Sequence, residues 1–305
     1  MVEFVLLMAD MDSEALLTFV TIHRAGGFSA AADVLHRSQP AISRRIQLLE
    51  GELGGPLFER TVAGPRLSQL GETLLPHAER VLAALKDAGA AVRELRDADA
   101  GPLSLALVGT LAGAPLTDLL RQFAAEAPGA SLTLRTATSR QVSELVRSGE
   151  ATLGVRYFED RSPDLECHSM APERLAVVSA PGHPLAGRRV ERLTELADAR
   201  WLAFPRRDES GEVAAETLSM EFLRRGVSAF AWSGVDSLTA QKRLAEAGFG
   251  IALMPLSGAE EELAAGRLAL IEVGDLDAAN PVFAIVRRGG YLSRAARRLL
   301  DMLIA

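Results

Sequence analysis

From position 74 to position 95 the chain carries Leu74, Ala78, Val81, Leu85, Ala88, Val92 and Leu95, apolar residues at alternating steps of four and three without a break. That repeat writes one stripe along a helix and supercoils it against another helix. Leu75 and Leu82 widen the stripe, whereas Glu79, Arg80, Lys86, Asp87, Arg93 and Glu94 fall on the opposite, solvated face. The helix is expected to start at Ser68, to bend at Pro76 and to end near Gly101-Pro102. Its stripe needs cover, from the chain's own core or from a second copy, and the unbroken heptad favours the copy. Leu74, Ala78, Val81, Leu85, Val92 and Leu95 are the expected dimerisation residues. At 305 residues, two or three folded units are expected around such a connector.

Upstream of the connector the patterning is that of short helices. Leu16, Phe19, Val20 and His23 recur at helical spacing and stop at Gly26-Gly27. Phe28 and Ser29 open a short helix through Leu35, whose narrow packing face of Ala31, Ala32 and Leu35 lets two helices cross closely. Ser38 or Gln39 is placed to cap a third helix with Pro40 in its first turn, where a missing N–H costs little. Ile42, Ile46, Leu49 and Leu53 form its core stripe; Pro40, Arg44, Gln47 and Gly51 lie opposite, and Ser43 and Arg45 flank it. Gly54-Gly55-Pro56 ends this helix, and PLFERTVAGPRLS reads as two extended runs about a turn at Ala63-Gly64-Pro65. Helix, short helix, capped helix and hairpin outline a winged helix-turn-helix, whose capped helix enters the DNA major groove.

Beyond Gly101 the pattern changes to short apolar runs separated by helical ones: LSLALVG, LTLRT and LGVR, then RLAVVS, WLAFP, AFAWS and IALMP, closing with PVFAIVRR and a last helix. This alternation implies parallel strands with crossover helices, arranged as two α/β lobes. Expected boundaries are 12–68 for the DNA-binding domain, 69–100 for the connector and 101–305 for an effector-binding domain. Within the last, lobe I spans about 101–173 and 279–305 and lobe II about 174–278.

Several function classes are disfavoured. A net charge of -7 excludes a surface coated in basic residues, so any DNA contact must be a small local footprint. Cys167 is the only cysteine, which rules out an intrachain disulfide and fits a reducing, cytoplasmic setting. It falls in an expected strand, where a buried structural thiol is favoured over a redox sensor. The five histidines are scattered, without a ligand pair at helical spacing, so neither a metal site nor another cofactor is expected. GFGIAL at Gly248 precedes a strand instead of following one, and no nucleophile elbow or phosphate loop is present, so the chain is not read as an enzyme. MVEFVLLMADMD lacks a basic leader and is too short to span a bilayer, so neither secretion nor membrane attachment is expected; Met8 and Met11 are alternative starts. A solute-binding protein would explain two lobes but leaves residues 12–100 without a role.

Phe28, Ala31, Ala32, Leu35, SQPAIS, Ile46, Leu49-Glu50, Leu53-Gly54, Leu57-Phe58 and Arg60, followed by RLSQLGETLLPHAERVL and later by GHPLAG, resemble the LysR-type transcriptional regulators. Gly27, Leu70 and Gly51 depart from that pattern. The resemblance implies an N-terminal all-α winged helix-turn-helix plus long linker helix, and a C-terminal α/β two-lobed domain resembling periplasmic binding proteins. Its implied partners are double-stranded promoter DNA, a small-molecule effector, further copies in a homodimer or homotetramer, and RNA polymerase.

On the capped helix, Gln39, Ser43, Arg44 and Gln47 are placed for base edges and nearby phosphates, and Pro40 for a thymine methyl. Arg45, Arg60 and Arg66 are assigned to backbone phosphate. In the lobes, ligands of open α/β sheets sit beyond the carboxyl ends of strands. Thr110, Thr138, Ser139 and Asp236 there offer hydrogen bonds, and Arg156 and Arg206 offer partners for a carboxylate. An anionic metabolite is the favoured class; ordinary loop polarity accounts for the same residues equally well.

Overall fold

The computed structural model describes residues 12–61, 64–95, 102–205 and 214–305. These form two units, one ending with the long connector and one following it. The alternative starts at Met8 and Met11, and Arg206, lie outside the described residues.

In the first unit α1 (Ser13–Ala25) is capped by Asp12, whose carboxylate accepts the Ala15 N–H at 2.6 Å, and is stopped by Gly26 in the left-handed region. Its buried face runs through Ala15, Leu16, Phe19 and Ile22, so Ile22 takes the place expected of His23, which is exposed. α2 (Phe28–Leu35) packs through Ala31 and Ala32 as expected. α3 (Gln39–Leu53) buries Ile42, Ile46 and Leu49 against both, with Leu53 partly buried at the edge. Ser38 occupies its N-cap without a side-chain capping bond, and Pro40 removes one first-turn donor.

The wing is β1 (Phe58–Thr61) paired antiparallel with β2 (Gly64–Leu67). Phe58 pins it to the head, its ring 5.4 Å from Phe19 and 5.6 Å from Phe28. Around Leu57 three elements are tied together. The Leu57 N–H donates to Glu50 Oε1 at 2.7 Å, and its carbonyl accepts the Ser68 N–H at 2.9 Å. The Ser68 hydroxyl donates to the Pro56 carbonyl and accepts the Gly71 N–H at 3.1 Å, capping the connector helix α4 (Gln69–Glu94). The helix continues through Pro76.

The heptad seam divides along α4. Leu74 and Ala78, expected to dimerise, pack with Leu75 and Leu82 against the head's own core, because the first turns of α4 lie on α1. Val81, Leu85, Val92 and Leu95 remain exposed. The first half of the stripe therefore finishes the head, and the second half is left largely uncovered by the described residues.

The second unit holds two sheets. Its elements begin with β3 (Pro102–Val108), α5 (Ala114–Glu126), β4 (Ser131–Ala137), α6 (Ser139–Arg147), β5 (Leu153–Tyr157) and β6 (Leu165–Ser169). They continue with β7 (Glu173–Ser179), β8 (Arg189–Val190), β9 (Trp201–Ala203), α7 (Ala214–Arg224), β10 (Trp232–Gly234), α8 (Leu238–Glu246) and β11 (Ile251–Pro255). Then come α9 (Glu260–Ala264), β12 (Ala269–Val273), β13 (Ala279–Asn280), β14 (Val282–Arg287) and α10 (Arg294–Ile304). The first sheet has the order β4-β3-β5-β14-β6, the second β10-β9-β11-β7-β12-β8 with β13 also on β7.

Strands joined through a helix run parallel, as β3 does with β4 and β5, and β9 with β10 and β11. The sheets are nonetheless mixed: β6, β7 and β14 enter without a helix before them and pair antiparallel, and β12, which follows the short α9, runs antiparallel to β7 and parallel to β8. The chain passes between lobes at residues 170–172 and at Pro281. Ala279 and Asn280, expected in lobe I, pair with Arg174 and Glu173 of β7 and so belong to the second sheet. Leu105, Leu107, Phe123, Val155 and Ile285 centre the lobe I core, and Val177, Trp201, Phe222 and Ile251 that of lobe II. Among the described residues no helix is long and apolar enough to cross a membrane.

Candidate functional site

Burying Ile42, Ile46 and Leu49 turns the other side of α3 outward. Gln39, Pro40, Arg44 and Gln47 are exposed there, while Ser43 and Arg45 are half-buried on its flanks. Gln39 Nε2 donates to Ser43 Oγ at 3.0 Å, which pre-orders the first turn of that face. Arg66 is exposed on β2; Arg60 stands on β1, its side chain outside what is described.

Arg45 meets carboxylates of the head itself. Its guanidinium lies 3.4 Å from Asp12 and 3.1 Å from Glu14, so it ties the flank of α3 to the N-terminus of α1. Arg37 also reaches Glu14, at 3.1 Å. Paired with two carboxylates, Arg45 braces α3 against α1.

Between the two lobes of the second unit lies a cleft of 770 Å³. Thr110, Thr138 and Asp236 line it, as the strand-end rule anticipates. Ser139 does not: it is buried at the start of α6. Arg156 does not line it either, because its guanidinium faces Asp160 and Ser143, both at 2.6 Å. Arg206 lies outside the described residues. Gln141, Thr239, Lys242, Ser257, Glu260 and Glu261 also line the cleft and were missed, because they stand on helix first turns or loops rather than at strand ends.

The Arg156–Asp160 pair is a stability element. Burial pushes the Asp160 carboxyl up, but hydrogen bonds from Ser143 and Ser162 and the charge of Arg156 outweigh it and hold the group at about 2, below its ordinary 3.8. A depressed carboxyl stabilises the fold above the unfolded value and loses that contribution as pH falls from about 4 toward 2. The shift corresponds to about 2 kcal/mol. Asp160→Asn is expected to lower stability by about that much at pH 7, and by clearly less at pH 3. Urea denaturation at both pH values checks this; equal losses would show that charge is not the source. The Cys167 thiol beside it donates to the Asp160 carbonyl at 3.2 Å, and burial pushes its pKa up, the opposite of a reactive thiolate.

Comparison with known proteins decides the family. Residues 13–72 match the model described as bacterial regulatory helix-turn-helix protein, lysR family, and residues 96–305 that described as LysR substrate binding domain. The chain belongs to the LysR family. One relative, the SDS degradation transcriptional activation protein of a Pseudomonas species, is 32% identical over 96% of this chain and 95% of its own length. The transcriptional regulator CfxR of Cupriavidus necator is 30% identical over 85% of this chain and 80% of its own. A solved structure of full-length CbnR complexed with its target DNA superposes with a TM-score of 0.64 at 27% identity, covering 96% of this chain and 98% of that one. The chain is thus a LysR-family DNA-binding transcriptional regulator with an effector-binding domain, not an enzyme. Within the family frame, the motif residues Glu50, Leu57 and Ser68 acquire a physical reason: they are the hydrogen-bonded junction of α3, wing and α4.

Proposed function

We propose that this regulator reads duplex promoter DNA with α3 and the wing, as a homodimer or a homotetramer whose pairs are joined through the exposed half of α4. A small molecule in the interlobe cleft controls it in the cytoplasm, and RNA polymerase is its partner at the promoter. The observation that carries the reading is Arg44: exposed, opposite the buried stripe, and without a partner among the described residues. The CbnR complex with its target DNA supports the same use of a LysR head.

In this reading Gln39, Ser43, Arg44 and Gln47 address base edges and nearby phosphates, and Pro40 a thymine methyl. Arg60 and Arg66 hold phosphates, and Arg45 positions α3 through Asp12 and Glu14. Effector binding draws the lobes together and changes how dimers pack, which alters the spacing of the heads and the bend they impose on DNA.

Competition binding across a salt series separates these roles. Arg44→Ala is expected to cost about 1 to 3 kcal/mol of operator preference over random DNA. Arg66→Ala should weaken both equally and reduce the salt slope by about one. Arg45→Ala should weaken binding with the slope unchanged. An operator preference that survives Arg44→Ala would sink the assignment of that face.

A further inference from the structure

The two walls of the cleft differ in charge. On the lobe I side every described lining residue is formally neutral, with Thr110, Thr136, Thr138 and Gln141 supplying the polar groups. On the lobe II side Asp236, Glu260 and Glu261 face the space, and none makes an ion pair among the described residues. Lys242 is the one cation among the described lining residues, and its charge is spent. Its Nζ lies 2.9 Å from Glu262 Oε1 and donates to the Gly258 carbonyl at 2.9 Å, while Glu262 is only 4% exposed.

Among the described residues no further side chain restores the balance. Behind Ser257, the Glu173 carboxylate accepts that residue's hydroxyl at 2.9 Å; burial pushes its pKa up, and the charge of Glu260 adds to the rise. The N-termini of α5, α6 and α8 open on the cleft, and at about half a unit charge each their dipoles together supply less than the three carboxylates carry. The sequence RRDESGEV at 206–213 carries two arginines against three acids and lies outside the described residues. Arg156, the described arginine expected to meet an effector carboxylate, is turned to Asp160.

We propose that the effector carries a protonated amine, held on the lobe II wall by Asp236, Glu260 and Glu261, with its hydrogen-bonding remainder on the threonine-lined lobe I wall. This rests on the interlobe cleft being the effector site. A carboxylate at the same place would meet three like charges without an available cation among the described residues, whereas an ammonium gains charge-assisted hydrogen bonds from groups already presented.

The test uses the full-length protein and two probes of equal chain length and opposite charge, 1,4-diaminobutane and succinate, titrated by calorimetry at low salt. The diamine is expected to bind saturably and succinate not to bind. The combined variant Asp236→Asn, Glu260→Gln, Glu261→Gln should weaken the diamine about tenfold or more, as loss of hydrogen bonds to charged groups does. Thr239→Trp, which fills the cleft from an exposed position on α8, should abolish binding. Succinate binding that Thr239→Trp removes would overturn the charge assignment and leave the cleft in place. Diamine binding that Thr239→Trp leaves intact would overturn the cleft itself as the site. No diamine binding, or binding unchanged in the combined variant, would overturn the proposal.

Discussion

Replacing Leu85 and Val92 together by glutamate is expected to turn the proposed dimer into a folded monomer and to weaken operator binding about a hundredfold or more. Both residues lie on the uncovered half of the α4 stripe: Val81 is 46% exposed, Leu85 53%, Val92 56% and Leu95 88%. Burying one such side chain contributes roughly 1.5 to 3 kcal/mol, and a twofold-symmetric pairing of α4 with its copy buries each of them twice. Glutamates at 85 and 92 instead bring like charges together across the axis and remove the apolar gain. Once the heads are unlinked, each half-site must be bound alone, and the advantage of a high effective concentration disappears. Sedimentation velocity and operator titration on the same preparation provide the check, with circular dichroism to establish that α4 is retained. A dimer that survives both glutamates would remove α4 as the interface. Leu74→Glu is the informative contrast: Leu74 packs on the head core, so this change is expected to unfold the head rather than to separate copies.

That contrast marks how far the chain could be read from its sequence. The repeat announced a helix and an apolar stripe, and both are there, but periodicity is blind to which neighbour covers each turn. Leu74 and Ala78 carry the same signal as Leu85 and Val92, and only the crossing of α4 over α1 separates them. In α3 the stripe of Ile42, Ile46 and Leu49 sufficed to place Arg44 outward, because a wheel fixes the side opposite a buried face. Arg45 was legible in direction and not in partner, since Asp12 is 33 residues away in sequence. The cleft was legible in part: strand ends gave Thr110, Thr138 and Asp236. Its charge was not, because the pairing of Lys242 with Glu262 depends on how α8 meets α9 in space. The mixed sheets escaped for a related reason, since an antiparallel strand without a crossover helix leaves no alternation to detect.

Two helical glycines should respond to alanine in opposite directions, and the packing around them decides the sign. Glycine inside a helix costs up to about 1 kcal/mol relative to alanine, so propensity alone favours substitution at both. At Gly51, exposed on α3, an added Cβ meets nothing within 4 Å, so Gly51→Ala is expected to stabilise by up to about 1 kcal/mol. At Gly71, buried in the first turn of α4, the Cβ would lie 2.3 Å from the Leu57 carbonyl oxygen and 3.0 Å from Leu67 Cδ2. The nearer atom is backbone, and it cannot swing aside. Leu57 is held from one side by Glu50 and from the other by the Ser68 N–H, so relief requires α4 to lift from the junction. Lifting it also strains the Ser68 cap, which bonds through the Gly71 N–H itself. Overpacking typically costs about 1 to 3 kcal/mol and a lost cap about 1. Together these outweigh the propensity gain, and Gly71→Ala is expected to destabilise the head by about 2 to 3 kcal/mol. Urea denaturation of the two variants, read at the head's own transition, measures both. A neutral or stabilising Gly71→Ala would mean that α4 does not approach Leu57 so closely, and the junction that orients α3, wing and connector would have to be drawn differently.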